Sequence, residues 1–140
     1  MRVFAIALLA VTVAQPVDRY SGTWTADYNG TTYVRLVLSQ VGDAPEGAMS
    51  IGKTVHVKPD GDIDLATEAP STLTTMIDSY WNGAVLSFSV KDGDSVDRFE
   101  LRMLDADTGE LTPIFTERER QELANERIAL PKPFRVTKGR

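Results

Sequence analysis

The 140-residue chain contains no cysteine and a single histidine, His56. The absence of cysteine excludes disulfide frameworks, cysteine-ligated zinc, iron–sulfur clusters and thiol nucleophiles. A single histidine excludes any site that needs two imidazoles. The chain also lacks a continuous apolar run of about 20 residues, so we expect no membrane-spanning helix. The remaining composition, 42% hydrophobic and 25% charged residues, is typical of a globular protein.

The first residues have the pattern of a secretion signal. Met1-Arg2 supplies a positive charge, residues 3–13 form a short apolar run, and Thr12-Val13-Ala14 ends on a small residue. We predict that residues 1–14 are removed and that residues 15–140 form a single domain, exported to the periplasm or the extracellular space. The alternative is that residues 3–13 are a buried strand or helix of the domain itself.

The charge distribution argues against a nucleic-acid partner. Residues 15–116 contain more than twice as many acidic as basic residues, whereas residues 117–140 are net basic. An acidic body repels a phosphate backbone. The basic segment interleaves glutamates with its arginines, which is typical of a solvated helix face.

Apolar and polar residues alternate along three segments, which predicts an antiparallel sheet with one solvated face. The predicted inner residues are Val34, Leu36 and Leu38 in the first segment, Leu86, Phe88 and Val90 in the second, and Phe99, Leu101 and Met103 in the third. The predicted outer residues include Tyr33, Arg35 and Val37, then Ser87 and Ser89, then Arg98, Glu100 and Arg102.

Turn residues separate these segments. Asn29-Gly30 and Asn82-Gly83 have the composition of tight hairpin turns, since both residue types tolerate positive φ. We predict strands near residues 22–28, 31–40, 47–51, 54–58, 62–66, 75–81, 84–91, 96–104, 110–115 and 133–138. Residues 72–81 also fit a helical stripe, and we favour a strand there because the hairpin at Asn82-Gly83 requires one.

One helix is predicted near the C-terminus. Thr116 and Glu119 have the spacing of a capping box, residues 117–127 are rich in helix formers, and Pro131 and Pro133 follow. The predicted fold is therefore mostly β: an antiparallel meander barrel of about 8–10 short strands with one C-terminal helix and a short final strand.

Gly22-Thr23-Trp24 opens the first predicted strand, as G-x-W opens the first strand of calycins, the superfamily of lipocalins, fatty-acid-binding proteins and avidins. Residues 22–51 look most like avidins. The resemblance implies that Trp24 closes the base of the barrel and that a basic residue of a late strand (Arg98, Arg102 or Arg135) packs over its ring. The alternative is that Trp24 is an ordinary core aromatic.

The resemblance does not extend to the avidin ligand. Met49 and Ile51 stand where avidins have a tyrosine and a serine on the third strand, so biotin binding is not implied. A helix followed by a last strand also departs from avidins.

No sequence motif indicates catalysis or a bound metal. His56 lies between Val55 and Val57 and is predicted to point to the polar face, where an exposed side chain is a simpler interpretation than a general base. Asp60-Gly61-Asp62-Ile63-Asp64 has the spacing of a calcium loop, but its sixth position is Leu65 rather than glycine and its twelfth is Ser71 rather than glutamate. We interpret it and the similar turns at residues 92–94 and 105–110 as tight turns, and the alternative is a weak surface calcium site at one of them. Asp97 is the one acid that shares the inward parity of Phe99 and Leu101.

Three classes of function remain. The first is an exported binding module for a small apolar or amphipathic ligand, without cofactor, metal or catalytic residues. A hollow barrel would then hold a cavity of at least about 300 Å³ at the end away from Trp24. Its candidate lining residues are Leu36, Leu38, Leu86, Phe88, Phe99, Leu101 and Met103. The second is an envelope protein-interaction module, an inhibitor or accessory subunit, without a cavity. The third is a hydrolase with an unrecognised site.

The signal sequence generates a direct prediction. The exported protein should have the intact mass of residues 15–140, because the small residue Ala14 precedes the predicted cleavage site. Mass spectrometry of the protein secreted by its own host measures this. An exported protein that retains residues 1–14 would contradict the prediction.

Overall fold

Within residues 20–41 and 44–139, which this computed structural model describes, the chain forms eleven β-strands and one α-helix. The predicted signal sequence and its cleavage site lie outside the described residues. In chain order the elements are β1 (Gly22–Tyr28), β2 (Thr31–Val41), β3 (Ala44–Ile51), β4 (Val55–Val57), β5 (Ile63–Ala66), β6 (Thr74–Thr75), β7 (Ile77–Asn82), β8 (Val85–Asp92), β9 (Ser95–Met103), β10 (Thr108–Ile114), α1 (Glu117–Asn125) and β11 (Phe134–Lys138).

Nine of these strands form one antiparallel sheet that curls into a nearly closed barrel. Its order is β6-β3-β2-β1-β11-β10-β9-β8-β7, while β4 and β5 form a separate hairpin. The two edge strands, β6 and β7, are separated in sequence by Met76 alone, so one stretch of chain pairs with both β3 and β8. The predicted fold class, a mostly β meander barrel with one C-terminal helix and a final strand, is confirmed.

The barrel interior is formed by the alternating residues that the sequence predicts. The predicted inner residues Leu36, Leu86, Phe88 and Leu101 are buried, and Trp24, Leu111 and Val136 are buried with them. Register places Leu86 opposite Leu101 and Phe88 opposite Phe99, and the two phenylalanine rings stack with centroids 5.6 Å apart. Cross-strand aromatic pairs of this kind contribute about 0.5–1.5 kcal/mol beyond the area that they bury.

The prediction that Tyr33 lies on the solvated face is wrong. Ala26 pairs with Val34 but Asp27 pairs with Thr32, so Tyr33 is the extra residue of a β-bulge. A bulge breaks the alternation and redirects a side chain. Tyr33 is 4% exposed, and its ring packs edge-on against Phe134 with centroids 5.5 Å apart.

Residues 72–81 contain strands β6 and β7 rather than a helix. The mixed periodicity of this segment has a local cause, because the register of β7 with β8 shifts between Ile77 and Tyr80. Asp78, which lies within the shift, has a positive φ of 52°. The irregularity interrupts strict alternation, and the apolar spacing then imitates a helical stripe.

The two predicted Asn-Gly hairpins differ from each other. Asn29 and Gly30 both have positive φ and form the turn between β1 and β2, as predicted. At the second site, Asn82 is the last residue of β7 and pairs with Val85, so the turn consists of Gly83 and Ala84. The hairpin exists there, shifted by one residue.

The outer face is also less solvated than alternation predicts. Ser87 and Ser89 point away from the interior, yet they are 5% and 1% exposed. Their neighbours across the β7–β8 pair are larger, Tyr80 beside Ser87 and Ile77 beside Ser89. Small side chains between large neighbours lose most of their contact with water.

Trp24 lies near the end of the barrel at which β1 begins and β11 ends. It is fully buried, and its indole Nε1–H donates to the carbonyl oxygen of Tyr20 over 2.9 Å. The ammonium group of Lys138 lies 6.0 Å from the centre of the ring. Gly22 has a φ of 136°, and a Cβ there would lie 3.0 Å from Cε of Lys138, so glycine leaves room for this lysine.

The cation that the structure places over Trp24 is thus Lys138 of the last strand, rather than Arg98, Arg102 or Arg135. These three arginines have exposed side chains. The strand register explains why Lys138 is the residue over the ring, because Lys138 pairs directly with Trp24 across β1 and β11.

Replacing Trp24 should destabilise the barrel severely. We expect Trp24→Ala to lower the free energy of unfolding by about 3–5 kcal/mol, because it opens a cavity and removes a satisfied indole. Val37→Ala, on the outer face of β2, is the control and should cost less than about 1 kcal/mol. Denaturant unfolding measures both variants, and equal losses would contradict the assignment of Trp24 to barrel closure.

Tyr33 should make stability depend on alkaline pH. Burial, assisted by the charge of Asp27, raises its pKa from 10.0 to about 12. The folded protein therefore keeps the phenol proton at a pH where the unfolded chain releases it, so this stabilisation is complete below about pH 10 and is lost as the pH rises to about 12. Between these values, wild-type protein should lose more unfolding free energy than Tyr33→Phe. Parallel pH profiles would contradict this expectation.

Candidate ligand cavity

Two excursions of the chain cross the barrel mouth opposite Trp24. The first, residues 52–73, leaves β3 and contains the β4–β5 hairpin. The second, residues 115–133, connects β10 to β11 and contains α1. The direction of β11 shows that Trp24 and the mouth lie at opposite ends of the barrel. This strand begins at Phe134 near the mouth, and the residue that pairs with Trp24 is Lys138 at its other end.

A cavity of about 580 Å³ lies between these excursions and the barrel. This volume is within the range of small-molecule sites, about 300–1,000 Å³. The barrel contributes Ile51, Asp97, Phe99, Pro113 and Phe134, the first excursion Val55, His56, Val57 and Pro59, and the second Phe115, Leu123, Arg127, Ile128, Ala129 and Pro131. Twelve of these fifteen side chains are apolar, so the cavity suits an apolar or amphipathic guest.

The two excursions are joined over the mouth. The backbone N–H of Lys132 donates to the carbonyl oxygen of Gly61 over 3.0 Å, and its ammonium group lies 2.8 Å from a carboxylate oxygen of Asp62. This hydrogen bond lowers the pKa of Asp62 and raises that of Lys132. Gly61 has a φ of 93°, and a Cβ there would lie 3.0 Å from the carbonyl oxygen of Leu130. Glycine is therefore required where the hairpin tip meets the second excursion.

The end of α1 forms part of the cavity wall. The helix begins with the predicted capping box, in which Thr116 and Glu119 each accept a backbone N–H from the other. It ends in a Schellman motif, since the N–H of Ile128 donates to Leu123 and that of Arg127 donates to Ala124. Such a motif brings the side chains of Leu123 and Ile128 together, and both line the cavity.

Arg127 occupies the left-handed position of that motif, with a φ of 58°. Glycine is the usual residue there, and a side chain costs about 1–2 kcal/mol. The helix therefore ends at a strained residue that lines the cavity. Its guanidinium is exposed, so solvent and salt screen its charge.

Asp97 brings a carboxyl group to the barrel side of the cavity. It lies near the start of β9 and shares the inward parity of Phe99, as the sequence indicated. Burial raises its pKa, and the charges of Asp92 and Glu119 raise it further. Across residues 20–41 and 44–139, the Asp97 carboxyl has no hydrogen-bond or ion-pair partner.

His56 lies at the rim. Its Nδ1 is 3.1 Å from a carboxylate oxygen of Asp64, and its side chain is 69% exposed. The exposed position that the sequence predicted for His56 is therefore found, together with an orienting acid that the sequence did not indicate.

Of the seven predicted lining residues, Phe99 alone lines this cavity. Leu36, Leu38, Leu86, Phe88 and Leu101 are buried in the barrel core, and Met103 packs against that core. The reason is geometric: side chains of this size fill the interior of a small barrel, and this cavity lies at its mouth instead.

Sequence reasoning missed most of the wall. Val55 and Val57 alternate with His56 in a predicted strand, but nothing in the sequence shows that their hairpin crosses the barrel mouth. Leu123 and Ile128 come from the second excursion and belong to no strand pattern. The available signal was the apolar stretch Ile128-Ala129-Leu130-Pro131, which follows a charged helix and has no strand pattern.

The aspartate-rich turns use their carboxylates locally. Asp60 accepts the backbone N–H of Asp62 over 2.9 Å, and Asp105 accepts those of Asp107 and Thr108 over 2.8 and 2.9 Å. Bonds of this kind stabilise tight turns. In the part of the chain that the structure describes, no three or more His, Asp or Glu residues cluster as metal ligands would.

Comparison with known proteins adds no family. Neither a protein-family model, nor a curated protein, nor a solved structure matches the chain. Among the described residues, no helix has the length and apolarity needed to cross a bilayer.

Proposed function

We propose that this protein is an exported binding module that holds a small apolar or amphipathic molecule in the cavity at its barrel mouth. The observation that carries the proposal is the cavity itself: about 580 Å³, mainly apolar walls, and a few ionisable side chains at its edge. This combination is typical of sites that bury most of a small ligand. The predicted signal sequence supplies the export part of the proposal.

The core beneath the cavity supports a preformed site. Phe99 and Phe134 are 5% and 3% exposed, and each is held by another ring, Phe88 for the first and Tyr33 for the second. Rigid walls reduce the entropy that a ligand must overcome on binding.

We also propose a distant relationship to calycins. Trp24 opens the first barrel strand and is buried at one end, a basic residue of the last strand lies over its ring, and neighbouring strands follow each other around the barrel. The proposal rests on these shared features of architecture, which are weaker support than a shared binding site.

The two alternative functions are less well supported. The protein-interaction alternative predicts a molecule without a cavity, whereas this structure contains one of about 580 Å³. A hydrolase would need chemistry at the cavity, where the ionisable groups are Asp97, Arg127 and the exposed imidazole of His56. We therefore propose binding without catalysis.

A neutral fluorescent probe tests the binding proposal. N-phenylnaphthylamine should bind the exported protein saturably, and its fluorescence should rise in the apolar cavity. Ala129→Trp places a large ring in the cavity wall and should weaken binding at least about tenfold. Ala106→Trp, in the exposed turn between β9 and β10, is the matched control and should leave binding unchanged. Absence of binding to folded wild-type protein, or equal binding by both variants, would contradict the proposal.

A further inference from the structure

The position of Asp97 is unusual for a carboxylate. It is half-buried, it lines the main cavity, and it also lines a neighbouring space of about 430 Å³. Ile51 borders both spaces as well. A half-buried carboxylate loses much of its hydration and is normally compensated by a hydrogen bond or a cation. Asp97 has neither within the described residues, so its compensation must come from water or from a guest.

The electrostatic surroundings of Asp97 favour a positively charged guest. The two side chains whose charges influence its pKa, Asp92 and Glu119, are both acidic. Lys53 and Lys91 border the neighbouring space and Arg127 borders the main cavity, but all three are exposed and, among the described residues, none forms an ion pair with Asp97. His56, the remaining ionisable group of the main cavity, lies beside Asp64.

The rest of the cavity determines what kind of cation fits. The side chains of Phe99, Pro113 and Phe134 contain no oxygen, so among the lining side chains a bare metal ion would find the carboxylate of Asp97 alone. An organic ammonium group can donate one N–H to that carboxylate and keep its other N–H groups in contact with water, while its carbon chain gains apolar contact.

We propose that the cavity selects a cationic amphiphile, a primary amine with an apolar chain, whose ammonium group donates to Asp97 while the chain lies against Phe99 and Phe134. This inference rests on the proposed ligand-binding function and deepens it by naming the ligand class. The charged hydrogen bond supplies specificity, and the apolar contact supplies most of the affinity.

Competition among three probes of equal chain length tests the charge preference without any mutation. Decylamine, decanol and decanoate are each titrated against bound N-phenylnaphthylamine at neutral pH. Decylamine should displace the probe at a concentration at least about tenfold lower than decanol, and decanoate should be the weakest, because hydrogen bonds to charged groups exceed neutral ones in strength.

Two variants then assign the preference to Asp97. Asp97→Asn keeps the shape and removes the charge, so the advantage of decylamine over decanol should disappear while decanol binding stays unchanged. Asp94→Asn removes the same charge from the exposed turn between β8 and β9 and should preserve the preference. The melting temperature of Asp97→Asn should be unchanged or raised, because the substitution removes an unpaired, half-buried charge. Such a melting temperature verifies that the variant is folded.

Each other outcome is decisive. If decanol or decanoate displaces the probe as well as decylamine does, the amine proposal is wrong while the binding function stands. If both variants lose the preference equally, general surface charge is responsible and the role of Asp97 is refuted. If the probe binds but none of the three displaces it, the cavity does not hold aliphatic amphiphiles and the amine proposal is wrong. If the probe itself does not bind, the binding function fails too.

Discussion

Barrel closure is the constraint on which the other features depend. Residues 74–82 pair with β3 at one end and with β8 at the other. The backbone N–H of Met76 donates to Gly47 and the hydroxyl of Ser79 donates to the carbonyl oxygen of Pro45, both over 2.8 Å. Without these contacts the sheet would have two unpaired edges, and exposed edges invite pairing with other chains.

Closure also decides where a cavity can form. A small barrel with large inner residues has a solid centre, and Trp24 is fully buried near one end of this one. The cavity of about 580 Å³ lies at the other end, where residues 52–73 and 115–133 cross the mouth and meet at Gly61 and Lys132. This cavity is therefore a product of the connections, while the strands supply its floor.

The mouth contains features that stability alone does not favour. Arg127 adopts a left-handed conformation at the helix end, and Asp97 is half-buried with acidic neighbours. Backbone strain and uncompensated charge each lower the stability of the folded state and are concentrated at functional sites in many proteins. Both features occur within one cavity lining, which is consistent with a site that a ligand completes.

Local sequence patterns were sufficient to predict the alternation in β2, β8 and β9, the turn at Asn29-Gly30, and the capping box of Thr116 and Glu119. These signals involve residues close in sequence, so propensity and periodicity are sufficient. Tertiary contacts were needed to establish that Tyr33 is buried, that Lys138 lies over Trp24, and which residues line the cavity. Each of these depends on register or on contacts between distant segments, and a single bulge or a crossing connection changes them without altering any local pattern.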